Sequence, residues 1–355
     1  MNVAVDCHMV ASPNPGDAGN ARYAVALTRA LRSTGAPEDR VAALVTNAEA
    51  TREIGPGVAP VLVPDSAPLR LTRDAGRALR SVRADAAVFS YVAPPRPVCP
   101  TLVAVHDPTF LTNPEWLGRR SRAILGTLGT RSARRARVVL ALSDTAKTDI
   151  CAALALDPAR VHVVSPYAAP VFAPAGGAAE RVLARWALDR YVVTVGDIGP
   201  RKNIAALAEA VGMLGDPSLE LVVVGRAGVD ADEILTSARA RWLGPVTDAE
   251  LSDLYRAAAV TAHPARYEGF GLTVLEALAC ASPVVAAATG ALPEVVGDAG
   301  VLVAPDPGSI AEGLRAALEP ATAARLREAG PERAARYSRR AMGEAAWSAV
   351  RAATA

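Results

Sequence analysis

The sequence has few cysteines and no long apolar run, and this excludes several classes of protein. The four cysteines, Cys7, Cys99, Cys151 and Cys280, form no C-x-x-C pair and have no neighbouring histidine pattern, which argues against a disulfide framework and against a zinc site. The run 277–293 carries no charge, but it is shorter than a membrane span and contains Pro283 and Gly290, so we expect no transmembrane helix. The N-terminus M-N-V-A-V-D-C-H has no signal-peptide pattern. We therefore expect a cytoplasmic protein.

Lysine is rare: of the 38 basic residues, only Lys147 and Lys202 are lysines. The formal net charge is only +2, but the two halves differ. Residues 1–172 hold 20 Lys/Arg against 14 Asp/Glu, a balance of +6, and residues 173–355 hold 18 against 22, a balance of −4. The first half is therefore the basic one.

One stretch of the first half concentrates this charge. No acidic residue occurs from Trp116 to Ser143, whereas seven arginines do: Arg119, Arg120, Arg122, Arg131, Arg134, Arg135 and Arg137. One interpretation is a solvated helix face, and the other is peripheral contact of the Arg119–Arg137 region with an anionic membrane or a phosphate-bearing partner. No aromatic residues interleave these arginines, as a platform for single-stranded nucleic acid requires. We therefore expect no nucleic acid partner.

Short apolar runs alternate with segments of helical length along the whole chain. Strand-like runs lie at 3–6, 41–45, 86–89, 101–105, 138–143 and 161–164, and again at 191–195, 219–225, 259–263, 282–287 and 300–303. Helical segments between them include 20–32 and 144–156. Such alternation with unbroken apolar strands predicts an α/β protein with parallel sheets covered by helices.

A single small and flexible segment, A-P-A-G-G-A-A-E at 173–180, is the best candidate for a linker. We therefore predict an N-terminal domain at 1–172 and a C-terminal domain that begins at 181. With 355 residues, both can bury a core of their own. The expected fold is two Rossmann-like doubly wound domains facing across a cleft, with ligands beyond the carboxyl ends of the strands.

The loop G-D-I-G-P-R-K-N follows the predicted strand 191–195 and precedes a helix. Gly196 permits close approach to a ligand, Asn203 is a suitable N-cap, and the helix start favours anions. Arg201 and Lys202 add two positive charges, so this loop predicts a site for a diphosphate. The alternative is a solvated basic turn. The loop is not a Walker A motif.

Two other strand ends carry weaker signals. Gly19, in G-N-A-R-Y, opens a helix, but the dinucleotide fingerprint is absent and turn chemistry explains the glycine equally well. His106 and Asp107 end the run 101–105, where a neutral imidazole can hydrogen-bond a sugar hydroxyl, although a strand-end histidine is more often structural. The remaining histidines, His8, His162 and His263, form no cluster and are expected to line strands.

Two carboxylates stand in a segment that is otherwise small and apolar. Glu268 precedes a glycine-rich turn, and Glu276 lies about one and a half turns into the helix that is expected to begin near Gly271. Buried carboxylates need partners, and sugar hydroxyls are suitable ones. A capping acid plus a helix-surface acid explains the spacing as well. The D-A-D at 230–232 fits a metal motif, but capping at a helix start explains it better, so we expect no metal.

Together these segments resemble the retaining GT-B glycosyltransferases of glycosyltransferase family 4. The match rests on G-D-I-G-P-R-K-N, W-L-G-P-V-T-D-A-E-L-S-D-L-Y, H-P-A-R-Y-E-G-F-G-L-T-V-L-E-A-L-A and G-A-L-P-E-V-V-G-D-A-G-V-L-V. The resemblance implies that Glu268 contacts the donor sugar, that Glu276 holds the ribose and that Arg201 and Lys202 bind the diphosphate. It also implies that backbone N–H groups of the turn at Gly269, Phe270, Gly271 and Leu272 bind the donor, and that Gly196 belongs to the same donor site.

In the N-terminal half, the resemblance puts Gly19 near the diphosphate and His106 near the transferred sugar. It also implies that 181–335 is the donor-binding domain and that the last helix, at 336–355, packs back on the N-terminal domain. Departures from the family pattern are Ala21, Asp197 and the run Tyr167, Ala168 and Ala169. They leave the donor motifs complete and make the acceptor hard to infer.

The implied activity is transfer of a hexose or deoxyhexose, similar to mannose, rhamnose or glucose, from a nucleoside diphosphate sugar to an acceptor hydroxyl. The acceptor is a lipid-linked, oligosaccharide or small-molecule hydroxyl, and neither a metal nor another cofactor is required. Two alternatives share the fold. A hydrolysing nucleotide-sugar epimerase lacks the R-K-N and E-x7-E combination, and a silent binding protein is expected to have broken donor motifs.

Overall fold

The structure of the protein, a computed structural model, describes residues 1–11, 18–227, 231–237 and 240–355. Asp230, the first residue of the D-A-D motif, lies outside these ranges. The described chain divides into two compact units. The first unit comprises Met1–Tyr167 and Ser338–Ala355, and the second comprises Ala168–Tyr337.

The first unit contains a seven-stranded parallel sheet with the order β3-β2-β1-β4-β5-β6-β7. Its strands are β1 (Asn2–Asp6), β2 (Arg40–Val45), β3 (Ala59–Leu62), β4 (Ala86–Ser90), β5 (Thr101–Ala104), β6 (Val138–Ala141) and β7 (Val161–Val163). The second unit contains a six-stranded parallel sheet with the order β10-β9-β8-β11-β12-β13. Its strands are β8 (Tyr191–Val195), β9 (Glu220–Val224), β10 (Ala240–Gly244), β11 (Val260–His263), β12 (Val284–Ala287) and β13 (Val301–Val303).

Helices connect the strands in both units. In the first unit they are α1 (Ala18–Thr34), α2 (Ala48–Ile54), α3 (Ala67–Leu69), α4 (Ala75–Ser81), α5 (Thr109–Thr112), α6 (Arg119–Ile124), α7 (Thr130–Arg135), α8 (Asp144–Leu154) and, at the other end of the chain, α17 (Arg339–Thr354). In the second unit they are α9 (Ala178–Trp186), α10 (Ile204–Gly212), α11 (Ala231–Ser237), α12 (Asp248–Ala257), α13 (Leu272–Ala279), α14 (Leu292–Val296), α15 (Pro307–Leu318) and α16 (Pro320–Ala335).

Both sheets have the strand order of a Rossmann fold, in which the chain starts in the middle and reverses direction once. The reversal lies between β1 and β4 in the first unit and between β8 and β11 in the second. The inner strands are buried on both faces, as β4 (Ala86–Ser90) and β8 (Tyr191–Val195) illustrate, which explains why their sequences are unbroken apolar runs. Ligands of such sheets bind where the order reverses.

The last helix, α17, packs against α1 within the first unit. The two helices approach so closely at Gly343 that a Cβ there would lie 2.2 Å from Thr34 Oγ1 and 2.7 Å from the carbonyl oxygen of Ala30. Trp347 is buried and donates its indole N–H to the carbonyl of Leu31 at 3.0 Å. Small and aromatic residues of α17 therefore fit a surface of α1.

The sequence did not predict the strands β3 and β10, and both lie at a sheet edge. β3 contains Pro60 and is largely exposed, and β10 contains Arg241 and an exposed Trp242. An edge strand needs no apolar pattern on both faces, so the pattern used to find strands is missing there.

The linker was predicted at 173–180, whereas the two compact units meet between Tyr167 and Ala168. Arg256 on α12 explains why the following residues belong with the second unit. It donates hydrogen bonds to the carbonyls of Val171 and Ala173, both at 2.7 Å. The last residues of the predicted linker start α9, which begins at Ala178.

Candidate active site

The loops that follow β8 and β11 meet where the strand order of the second sheet reverses. After β8, Gly196 has a φ of +148°, and the chain then makes a short helical turn, Pro200–Lys202, before α10. A Cβ at Gly196 would lie 2.8 Å from Lys202 Cε. The missing side chain therefore makes the space in which Lys202 lies.

The carboxylate of Glu268 is the centre of this site. Its Oε1 atom lies 2.6 Å from Lys202 Nζ, 3.1 Å from Arg201 Nη1 and 3.2 Å from His263 Nε2. One carboxylate oxygen is thus surrounded by three nitrogens.

Burial and charge oppose each other at this cluster. Burial alone raises the pKa of Glu268, but the neighbouring charges of Arg201 and Lys202, with the hydrogen bond from His263, hold that pKa well below its usual range. Burial lowers the pKa of Lys202, which Glu268 partly offsets. Burial and the charge of Lys202 also lower the pKa of His263. The site therefore combines an ionised carboxylate with a neutral imidazole.

The structure differs from the predicted helix cap at Asn203. This residue precedes α10, but its φ is +55° and its side chain makes no capping hydrogen bond. Instead the side chain is buried and donates to the carbonyls of Pro264 at 3.1 Å and Pro305 at 2.8 Å. A buried amide satisfies its donors with carbonyls, so Asn203 ties the loop after β8 to the loops after β11 and β13.

Backbone contacts fix the loop of Glu268 on both sides. The N–H of Arg266 donates to the carbonyl of Arg201 at 2.9 Å, and the N–H of Ala291 donates to the carbonyl of Glu268 at 2.8 Å. Gly290 packs directly on Glu268, because a Cβ there would lie 2.3 Å from the Glu268 carbonyl oxygen and 2.9 Å from its nitrogen. Gly290 is therefore required for this close approach.

The glycine-rich turn after Glu268 leads into α13. Gly271 precedes the helix with a φ of +95°, and Leu272 is its first residue. Phe270 is buried and packs edge-on against Tyr337, with 5.2 Å between ring centres. Glu276 is the fifth residue of α13 and is only 2% exposed, which contradicts the alternative of a helix-surface acid. Gly269 is buried beside this turn.

His106 lies in the first unit and has different surroundings. It is buried against Tyr23 and Tyr91, with ring centres 4.8 Å and 5.4 Å away. Burial lowers its pKa to about 4, against a smaller opposing effect of Asp107. Its buried Nε2 has no hydrogen-bond partner among the described residues. His106 is therefore a neutral imidazole with one open nitrogen.

Other predicted features of the first unit have clear positions. Gly19 is the second residue of α1, is exposed and has open space where a side chain would stand. Asp107 caps the turn that follows, since it accepts the N–H of Thr109 at 2.9 Å. The arginine-rich stretch forms α6 and α7 with a π-helical turn, Leu125–Gly129, between them.

Arg201, Lys202 and Glu268 are thus in contact, with Gly196 beside Lys202 and Glu276 in the helix that follows Glu268. His106 and Gly19 belong to the other unit. Sequence analysis missed the role of His263, which ends β11 and contacts Glu268. It was also wrong to expect His8 on a strand, because His8 lies beyond β1 and its Nδ1 is 2.9 Å from both carboxylate oxygens of the buried Asp6.

Two properties of the described residues bear on metals and membranes. They contain no group of three or more histidine, cysteine, aspartate and glutamate residues that is placed to hold a metal ion. None of their helices is long and apolar enough to cross a membrane.

Comparisons with known proteins concern the sequence family and the fold. Residues 183–333 match the family model of glycosyl transferases group 1. The chain is 30% identical over 214 residues to the O-antigen chain mannosyltransferase B of Escherichia coli, a match that covers 57% of this chain and 56% of that protein. It is 39% identical over 155 residues to the D-inositol 3-phosphate glycosyltransferase of Mycobacterium bovis, covering 40% of this chain and 32% of that protein. The chain thus matches about half of the first relative and a third of the second.

Solved structures share the fold over nearly the whole chain. Sucrose-phosphate synthase of Thermosynechococcus elongatus has a TM-score of 0.75 at 20% identity, with 95% of this chain and 94% of that chain covered. Anabaena HepE in complex with UDP-glucose has a TM-score of 0.77 at 17% identity, with 98% of both chains covered. The chain has the GT-B fold, and the match to the group 1 glycosyl transferase model lies within its second unit.

Proposed function

We propose that the protein is a retaining glycosyltransferase of family 4 that transfers a hexose or deoxyhexose from a nucleoside diphosphate sugar to an acceptor hydroxyl. The observation that carries this proposal is the contact of Lys202 and Arg201 with Oε1 of Glu268, at 2.6 Å and 3.1 Å, where the strand order reverses. The names of the relatives and the UDP-glucose complex of HepE support a sugar donor of this kind.

The donor is proposed to extend across the second unit. Arg201 and Lys202 bind its diphosphate, because a guanidinium and an ammonium can neutralise several phosphate oxygens. Glu268 accepts a hydrogen bond from a sugar hydroxyl through Oε2, and the buried Glu276 accepts hydrogen bonds from the ribose hydroxyls. The turn from Gly269 to Leu272 supplies backbone N–H groups. Trp242, half-exposed with its indole N–H held by the carbonyl of Gly225 at 2.7 Å, lies in the region proposed to meet the base.

In the proposed reaction, the bond between the anomeric carbon and the diphosphate oxygen breaks while a bond to the acceptor oxygen forms on the same face of the sugar. Because the new bond forms on the same face, the configuration is retained. The leaving diphosphate takes the acceptor proton, so the protein needs no base of its own. Arg201 and Lys202 stabilise the charge that builds up on the leaving group. Because these two side chains supply the positive charge that a metal ion could otherwise supply, we expect turnover to be unchanged by a chelator.

His106 is proposed to hydrogen-bond the transferred sugar through Nε2. A neutral imidazole with a buried open nitrogen suits a hydroxyl partner, and an unpaired buried nitrogen costs stability until it has one. Its tyrosine neighbours, Tyr23 and Tyr91, fix the plane of the ring.

The arginine-rich face of the first unit, formed by α6 and α7, is proposed to contact an anionic membrane and to bring a lipid-linked acceptor to the enzyme. Two apolar side chains, Ile124 and Leu128, are 38% and 49% exposed among its arginines. Exposed apolar and basic side chains together favour anionic lipid surfaces. Sedimentation with anionic vesicles at varied salt tests this part. Binding that is lost in Arg119→Gln/Arg120→Gln protein and at high salt supports it, and binding equal to that of neutral vesicles contradicts it.

The decisive experiment is an assay of purified protein with UDP-, GDP-, dTDP- and ADP-sugars, with and without EDTA. Release of nucleoside diphosphate and an acceptor product of unchanged anomeric configuration by NMR is the expected result. Release of a free epimerised sugar would indicate an epimerase instead. If no donor turns over and no nucleotide gives a heat of binding, the proposal is wrong.

A further inference from the structure

We propose that His263 is a positioning residue that holds Glu268 in place while Arg201 and Lys202 act on the leaving diphosphate. This inference rests on the proposed function, because it gives Glu268 a role toward the sugar. His263 ends β11 and is only 3% exposed. Its Nε2 lies 3.2 Å from Glu268 Oε1.

The contacts of His263 fix its tautomer. An ionised carboxylate can only accept a hydrogen bond, so Nε2 must carry the proton. Nδ1 is then an acceptor, and the hydroxyl of Thr273 lies 3.4 Å from it. Burial and nearby positive charge lower the pKa of His263, which keeps the ring neutral. The ring is thus held from both sides in one orientation.

The three donors on Oε1 differ in how firmly they are held. The side chains of Arg201 and Lys202 are 33% and 16% exposed, and both are long and flexible, whereas that of His263 is 3% exposed and short. In the proposed reaction Arg201 and Lys202 also bind the diphosphate. When the nucleotide sugar is bound, His263 is therefore the one nitrogen partner of Oε1 among the described residues that does not also bind the diphosphate.

This arrangement connects the strand β11 to the first turn of α13 through the side chains of Thr273, His263 and Glu268. A catalytic group must be held within a fraction of an ångström by neighbours that are themselves fixed by packing and hydrogen bonds. A carboxylate that loses such a partner still carries its charge, but its Oε2 no longer has a defined direction. Loss of His263 should therefore reduce turnover more than donor affinity.

The test compares His263→Leu, His263→Gln and Thr273→Val with the wild type in the donor assay above. For His263→Leu we expect kcat to fall by about 10- to 100-fold, while the Kd for UDP or GDP, whichever the wild type binds, changes by less than about threefold. Because glutamine can place an N–H near the position of Nε2, His263→Gln should recover most of kcat. Thr273→Val should lower kcat less than His263→Leu does.

The outcomes separate this inference from the proposed function. A wild type that neither turns over a donor nor binds a nucleotide overturns both. An active wild type whose kcat survives in folded His263→Leu protein overturns the role of His263 alone. If His263→Leu does not fold, the same decision rests on the other two variants. Equal loss of kcat in His263→Gln and His263→Leu, or a loss of nucleotide affinity as large as that of kcat, also contradicts the role.

Discussion

The two units have the same strand order where their sheets reverse, yet they surround a buried histidine in opposite ways. His263 in the second unit has polar partners at both ring nitrogens and lies beside two cations and a carboxylate. His106 in the first unit lies against two tyrosine rings, and its Nε2 has no partner among the described residues. Both ring nitrogens of His263 thus have partners within its own unit, whereas His106 has a nitrogen that a ligand can contact.

The same contrast holds for charge. In the second unit, the charges of Arg201 and Lys202 offset that of Glu268, so this carboxylate is not an unpaired buried charge. In the first unit the carboxylate of Asp6 is satisfied by His8, and His106 remains neutral. A unit that binds a diphosphate needs fixed positive charge, whereas a unit that receives uncharged hydroxyls needs neutral donors and acceptors. The difference matches the proposed roles, in which the second unit binds the charged diphosphate of the donor and His106 contacts the uncharged sugar.

The largest expected effect is that of Lys202→Ala. Loss of the ammonium removes stabilisation of the leaving diphosphate, so we expect kcat/KM to fall by about 100- to 1,000-fold. The control is Lys147→Ala, which removes the other lysine of the chain, on α8 in the first unit. Steady-state kinetics with the best donor measures both. Unchanged turnover in Lys202→Ala would show that the charged cluster of the second unit has no catalytic role.

A smaller effect is expected from Gly290→Ala, which disturbs the same cluster through the backbone. The new Cβ would lie 2.3 Å from the Glu268 carbonyl oxygen at a residue whose φ is +50°, so Glu268 must shift. We expect turnover to fall at least about tenfold and the free energy of unfolding to fall by roughly 1–3 kcal/mol. Gly215→Ala is the matched control, because its φ is +65° and nothing lies within 4 Å of a Cβ there. Equal stability and turnover in both variants would show that the approach of Gly290 is unimportant.

The sequence predicted more of the second unit than of the first, for a physical reason. Arg201, Lys202 and Glu268 follow strongly apolar strands, so their positions follow from the rule that ligands bind at the carboxyl ends of parallel strands. His263 was assigned to strand lining because its partner Glu268 is five residues away in a loop whose path no local pattern defines. The role of Asn203 depends on carbonyls of Pro264 and Pro305, which are distant in sequence.

In the first unit, His106→Phe should affect stability and turnover in opposite directions. Phenylalanine keeps the contacts with Tyr23 and Tyr91 and removes a buried nitrogen without a partner, so at pH 7.5 the variant should be as stable as the wild type or more stable. Donor turnover in the presence of acceptor should nevertheless fall. Chemical unfolding and the transfer assay measure the two effects. A loss of stability at pH 7.5 would make His106 a structural residue.

The pH dependence of stability gives a second test of His106. The pKa of His106 is lowered to about 4 in the folded protein, from an ordinary value of 6.5. As the pH falls below about 6.5, the unfolded chain takes up a proton at this residue that the folded protein refuses until about pH 4, so the wild type loses stability across that window. The loss amounts to about 3 kcal/mol at most, and His106→Phe should not show it. The stability advantage of the variant should therefore grow between pH 7 and pH 4.5, and an NMR titration of the imidazole should show no protonation above pH 5. An advantage that stays constant with pH would mean that the pKa of His106 is the same in the folded and the unfolded protein, and that the first unit does not hold the ring neutral.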